Sequence, residues 1–234
     1  VVGSLMVADQ EWPAIWMMPQ RLRVLKVASN PGSGIGSQAT AINDSGTVVG
    51  YGRVVGDNVV HAFRRIPDGG MQYLGQLPGG SGNSLAYDVN EAGQIVGNSD
   101  GRAVMWNPDG PMLELGSLPG DDGHYSYTAY DINNLGEAIG RTSGSEVVHF
   151  LWTVGTGMLR IADMIDPLDP WYPQLQSGGA EIYVYDLNDA GVIVGTLYAD
   201  GPGAIPIMLV PQQCGLERVP DRVKVGSAQK YVRL

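Results

Sequence analysis

Residues 39–43 alternate apolar and polar positions and run into Asp44-Ser45-Gly46, a pattern that reads as a strand entering a hairpin. Asn43 opens the turn, where its short side chain can fold back onto the backbone two residues on, and Gly46 supplies the left-handed conformation of a turn with a bulge. A second strand follows over 47–51. A glycine inside a strand weakens it unless something comes close, so Gly50 is read as a close approach between neighbouring sheets. A third strand over 61–65 leads into the turn signal Pro67-Asp68-Gly69-Gly70, and a fourth covers 71–74. Four antiparallel strands make one unit.

The same parts recur. The next unit places strands at 86–90, 94–97, 102–106 and 112–115, with Pro108-Asp109-Gly110 between the last two. The one after it places them at 129–133, 138–140, 148–152 and 158–161, with Gly155 and Gly157 in place of the turn triplet. The phrase Asn43-Asp44-Ser45-Gly46-Thr47-Val48-Val49-Gly50 returns from Asn90 to Gly97, from Asn133 to Gly140 and from Asn188 to Gly195, and Val1-Val2-Gly3 matches its end. The closing glycines at 3, 50, 97, 140 and 195 are separated by 47, 47, 43 and 55 residues. A period in the forties marks units that cannot bury an apolar face alone and must stack on a neighbour. The longer connections after the fourth strands, 75–85 and 116–128, suit an outer strand crossing back to the inner strand of the next blade, the layout of a β-propeller.

The ends complete the pattern. Strands two to four of the first unit fall near 1–5, 14–17 and 22–27, so the array begins one strand late. In the fifth unit 207–211 aligns with 104–108, and Leu216-Glu217 falls on Leu113-Glu114. Residues 230–234 then supply the strand the first unit lacks. The expected fold is all-β: a single domain, a five-bladed propeller of four-stranded antiparallel blades, its ring closed by pairing of the N- and C-terminal strands. Its repeats span about 1–38, 39–85, 86–128, 129–182 and 183–234. The rival, an open solenoid or a piece of a longer array, leaves the first unit short a strand and an edge exposed.

Composition narrows the partners. The 34 glycines and 15 prolines fit short strands and frequent turns, so helix is expected to be scarce. A net charge of -10 weighs against a nucleic-acid partner, which needs clustered Lys and Arg. There is no polybasic patch for a membrane surface, and no run of roughly 20 apolar residues to cross one. No signal peptide is visible, but the chain starts at Val1 in mid-repeat, which leaves secretion open. Cys214 is the single cysteine, which excludes an internal disulfide and a thiolate metal cluster. Inert packing is its favoured role over that of a nucleophile.

The triplet His61-Ala62-Phe63, the Asn-x-x-Gly-x-Val-Val-Gly phrase and the run Leu74-Gly75-Gln76-Leu77-Pro78-Gly79-Gly80 together resemble the HAF family of bacterial extracellular repeats. The resemblance spans nearly the whole chain and is strongest in the second and third units. The triplet decays to Arg102-Ala103-Val104 and His149-Phe150-Leu151, so His61 is not a repeated ligand. The family implies a repeat-built β-fold and an extracellular or cell-envelope location. It brings no catalytic residues with it, so function must come from sites in this chain.

The turn asparagines at 43, 90, 133 and 188 are the first candidates, because three of them follow an aspartate by two residues: Asp88, Asp131 and Asp186. This spacing superficially resembles a calcium loop, but the further oxygen ligands and the bidentate Glu of an EF-hand are lacking. Turn chemistry is the favoured reading, and no cofactor other than weakly bound calcium is considered. Phe63, Trp106 and Trp152, one per unit, are read as packing between blades.

Departures from the repeat carry more information, since the repeated residues are committed to stacking. In the connection after the third unit, Asp121, Asp122, His124 and Tyr125 bring together groups suited to hydroxyl-rich ligands or a weak cation site. The connection after the fourth unit, 163–179, is the longest and holds Trp171 and Tyr172 between two prolines. That pair either stands out as an aromatic platform for a sugar ring or a partner, or folds down over a blade edge. Both connections are expected on one face. Asp88, Asp131 and Asp186 could also converge at a channel mouth and act as glycosidase carboxylates, a role that Asp131→Asn would abolish without unfolding the chain. No Ser-His-Asp grouping, His-x-x-x-His helix or phosphate loop is present. The leading expectation is a non-catalytic extracellular or envelope propeller that binds glycan or protein through its long-loop face. The alternatives are a structural subunit that assembles with itself or a larger complex, and a propeller glycoside hydrolase.

Overall fold

A computed structural model describes residues 2–7, 10–17, 21–24, 37–53, 59–67, 69–80, 82–144, 146–199, 203–211 and 223–227. The chain is all-β, and its strands pair antiparallel in sequence order. The first sheet holds β1 (Val2–Val7), β2 (Gln10–Met17) and β3 (Arg21–Val24). Four-stranded sheets follow: β4 (Gln38–Ile42) to β5 (Val48–Arg53), β6 (Val60–Arg65) and β7 (Met71–Tyr73), then β8 (Ser84–Val89) to β9 (Ile95–Ser99), β10 (Arg102–Trp106) and β11 (Leu113–Glu114). The next holds β12 (Ser126–Ile132), β13 (Ala138–Ser143), β14 (His149–Thr153) and β15 (Gly157–Arg160). The last holds β16 (Ala180–Leu187), β17 (Ile193–Ala199), β18 (Gly203–Pro211) and β19 (Val223–Ser227). Two compact units divide the chain, Val1–Leu115 with Ser126–Ile132, and Gly116–Tyr125 with Asn133–Leu234.

The strands from β4 to β15 fall within a few residues of the sequence expectation. The last sheet differs. Its outer strand is β19, where Val223 and Val225 alternate with Lys224 and Gly226, a better strand pattern than the one around Leu216 and Glu217. Those two residues, Cys214 and the proposed closing strand at 230–234 all lie outside the described residues.

The repeated phrase forms the same turn four times. The side-chain oxygens of Asn43, Asn90, Asn133 and Asn188 accept the N–H four residues on, at 2.9–3.0 Å. Gly46, Gly93, Gly136 and Gly191 take the left-handed conformation, with φ of 81°, 78°, 78° and 73°. The asparagine amide has a second task. In the first compact unit Asn43 donates to the backbone carbonyl of Asn90 at 3.0 Å, and in the second Asn133 donates to that of Asn188 at 3.1 Å. One residue further on, Asp44 N–H donates to the Glu91 carboxylate and Asn134 N–H to that of Asp189, each at 2.7 Å. One residue type therefore closes a turn and ties consecutive repeats together.

The closing glycine answers to a bulge within its own sheet, not to a neighbouring sheet as the sequence suggests. The β4–β5 register shifts between Ala39 and Ala41, the β8–β9 register between Ala86 and Asp88, and the β16–β17 register between Val184 and Asp186. Opposite each bulge sits Gly50, Gly97 or Gly195, where a Cβ would overlap the carbonyl oxygen of Gln38, Leu85 or Tyr183. An aromatic ring closes over two of these glycines: a Cβ at Gly50 would lie 2.9 Å from Phe63 and one at Gly97 2.8 Å from Trp106.

In the first compact unit the core lies between consecutive sheets. Val49, Ala62 and Leu77 from one repeat pack with Ala86, Val89, Ile95, Val104 and Trp106 of the next. Each fully buried branched side chain contributes on the order of 2 kcal/mol. In the last repeat one flank is open. Val49, Val96 and Ile139 are wholly buried at the second strand of their repeats, whereas Val194 at the same position is 42% exposed, beside exposed Tyr185 and Tyr198. Among the described residues helix is confined to a 3-10 turn, Ile161–Met164, and α1 (Tyr172–Ser177). No helix among the described residues is long and apolar enough to cross a membrane, which says nothing of strands.

Candidate functional site

The connection Gly116–Tyr125 is ordered by its own first aspartate. Asp121 Oδ1 accepts the N–H groups of Gly123 at 3.0 Å and His124 at 3.3 Å, an Asx turn that fixes the loop. Its neighbours face outward: the His124 ring and the Asp122 carboxylate pair at 3.3 Å with both side chains more than two-thirds exposed. Such a pair contributes little. Leu118 is buried, and Tyr125 is half-buried.

Opposite this loop lies the turn between β13 and β14. Thr142, fully buried, receives the Val148 N–H at 2.8 Å and donates to the Glu146 carbonyl at 3.0 Å, which holds the turn and presents the Glu146 side chain. At the end of β15, Arg160 reaches Glu146 at 3.5 Å. The chain then enters the 3-10 turn that carries Asp163.

These pieces line an open-sided cavity of about 380 Å³ within the second compact unit. Leu118, Val148, Leu159 and Met164 supply apolar surface, Tyr125 an aromatic ring, and Asp121, Glu146, Arg160 and Asp163 the charged groups. The volume falls within the range of small-ligand sites, and the lining mixes an apolar surface with a few polar groups. Two of the residues singled out from the sequence, Asp121 and Tyr125, thus meet Asp163 from the other long connection. Asp122 and His124 are in the same loop but do not line the cavity. Glu146, Arg160 and the apolar residues were not foreseen; the one sequence signal for them is their place at strand ends that feed the departures from the repeat.

The second long connection folds into a short helix. Asp166 Oδ1 accepts the Leu168 N–H and Asp169 Oδ1 the Trp171 N–H, each at 2.9 Å, two turns that lead the chain into α1. The helix stops at Gly178, which is left-handed at φ 78°. Its buried Leu175 anchors it, and Trp171 and Tyr172 are half-buried at its start, lining neither this cavity nor the next. The insertion is a folded helical cap.

A second cavity of about 300 Å³ shares Glu146, Val148 and Arg160 with the first and reaches His149 and α1. His149 is buried, its ring 5.2 Å from that of Tyr183, and its Nδ1 accepts the Val184 N–H at 3.5 Å. Burial, reinforced by the Arg141 charge, pulls the imidazole pKa down to about 4. It is neutral at ordinary pH.

One of the recurrent aspartates has a structural use: Asp88 Oδ2 accepts the Ile132 N–H of the next repeat at 3.0 Å. The turn asparagines serve turns and inter-repeat bonds, and among the described residues no group of three His, Cys, Asp or Glu is placed to hold a metal ion. No protein-family model matches the chain, and no curated protein matches it.

Proposed function

We propose that this chain is a non-catalytic binding module of the extracellular space or cell envelope, built as five propeller blades, that recognises glycan in the cavity beside Tyr125. The location rests on the likeness to HAF repeats; the ligand class rests on the cavity. The observation that carries the reading is the meeting of two departures from the repeat, Asp121 with Tyr125 and Asp163, around one apolar surface. A sugar ring presents an apolar face to an aromatic ring and hydroxyls to carboxylates, and this lining offers both. The test is a glycan-array screen of the intact chain beside Tyr125→Ala and a Trp171→Ala, Tyr172→Ala double variant. Binding lost in the first variant and kept in the second supports the cavity; no binding by any of the three overturns the reading.

A second reading, a structural subunit, is favoured by the open flank of the last repeat at Tyr185, Val194 and Tyr198. In a closed five-bladed ring the first sheet covers that flank; in an assembly a neighbouring copy does. Sedimentation over a range of concentrations separates them, a concentration-independent monomer favouring the ring and a reversible oligomer the assembly.

A further inference from the structure

We propose that the open flank of the last repeat docks a second copy of this chain, head to tail, with the first sheet of one copy, β1–β3, seated on the last sheet of another. This rests on the structural-subunit reading above, not on the glycan cavity, and names the partner and the two faces. Functions that earlier repeats give to the repeat that follows them are unfilled at the last one. Val49, Val96 and Ile139 are wholly buried, but Val194 at the same position is 42% exposed. Asp88 accepts the Ile132 N–H of the next repeat at 3.0 Å, whereas its counterpart Asp186 has no hydrogen-bond partner among the described residues. The Asn133 amide donates to the Asn188 carbonyl at 3.1 Å. The side-chain oxygen of Asn188 is committed to its own turn, and its amide donates to nothing among the described residues. The flank thus keeps the receiving half of the inter-repeat interface.

One position selects the neighbour that fits. In the second repeat the Ala62 N–H donates at 3.0 Å to Ser84 Oγ, at the start of the next repeat's first strand. Pro206 holds the same place in the last repeat, because it pairs with Thr196 as Ala62 pairs with Tyr51, and proline has no N–H to give. The last flank therefore makes no demand on the start of a first strand. Among the described residues β1–β3 is the sheet without one: β1 lies in the register of β5 but at its sheet's edge, where β5 lies between β4 and β6. A strand edge offers backbone N–H and carbonyl groups, which are what the Asp186 carboxylate accepts from and the Asn188 amide donates to. Every copy carries both faces, so the contact is heterologous and passes from copy to copy.

The experiment is sedimentation velocity of the intact chain over a range of concentrations, beside Val194→Glu and, as a milder second variant, Tyr185→Ser. Both positions are exposed, so the fold is kept, and unchanged thermal melts verify this. The expected result is reversible self-association of the native chain, weakened at least about tenfold by Val194→Glu, which would bury an unpaired charge. The glutamate variant keeps its first sheet, so it should still bind fluorescently labelled native chain with undiminished affinity. A variant that binds neither itself nor the native chain overturns the head-to-tail contact in favour of flank against flank. Self-association that both variants leave unchanged overturns the docking surface and leaves the structural-subunit reading standing. A concentration-independent native monomer overturns both.

Discussion

The side-chain amide of Asn43 donates to the backbone carbonyl of Asn90, 47 residues later, at 3.0 Å, while its carbonyl end holds the Thr47 N–H at 2.9 Å. Asn133 stands in the same relation to Asn188. In both pairs the earlier repeat passes a hydrogen bond to the later one from a side chain that is already fixed by its own turn, so little further entropy is lost in making it.

The terminal member of this series should matter less than an internal one. Asn133 is 3% exposed and its amide serves both Asn188 and the Glu137 carboxylate, whereas Asn188 is exposed and serves its own turn. Asn133→Ala is expected to cost about 2 kcal/mol, because it removes a buried amide that serves its own turn and the next repeat, and Asn188→Ala about 1 kcal/mol. Urea denaturation midpoints of the two variants check this, and equal losses would contradict it.

Gly97 and Gly116 should respond unequally to a methyl group. A Cβ at Gly97 meets the Leu85 carbonyl and the Trp106 ring, while one at Gly116 has open space and only its φ of 83° to contend with. Gly97→Ala should lose more than about 3 kcal/mol or fail to fold, and Gly116→Ala about 1 kcal/mol. Thermal melts distinguish the two.

Stability should fall on mild acidification through His149. Its pKa is lowered in the fold from 6.5 to about 4, so the unfolded chain binds the proton first. The contribution of the neutral ring is therefore complete above about pH 6.5 and is lost as pH falls toward 4, a loss of about 3 kcal/mol. Denaturation curves of the native chain and His149→Gln between these limits test it. The variant should show the shallower dependence, and parallel curves would count against a buried neutral ring.

Much of the scaffold was legible because its signals are local. The turn at Asn43 and Gly46 follows from side-chain reach and a left-handed φ, and the strands that flank it follow from alternation. The inter-repeat bond from Asn43 to Asn90 was not legible, since sequence shows that an amide exists but not what lies 47 residues away. Gly50 was read correctly as a close approach and assigned to the wrong neighbour; the Gln38 carbonyl reaches it because a bulge turns the paired strand, and a bulge at Thr40 leaves no mark in composition. At the site, Asp121 and Tyr125 were visible as departures from the repeat. Glu146 and Arg160 were not, because ordinary surface residues become cavity walls only when strand ends bring them together. Trp171 and Tyr172 stood out as aromatic residues, but Asp166 and Asp169 turn that segment into a helix that half-buries them.

The most direct measurement is a crystal structure of the chain soaked with the saccharide that the array selects. Density for the sugar ring against Tyr125, with Asp121 and Asp163 in hydrogen-bond reach, is the expected result. A saccharide seated instead on Trp171 and Tyr172, or a cavity that stays empty while the sugar binds in solution, would contradict it.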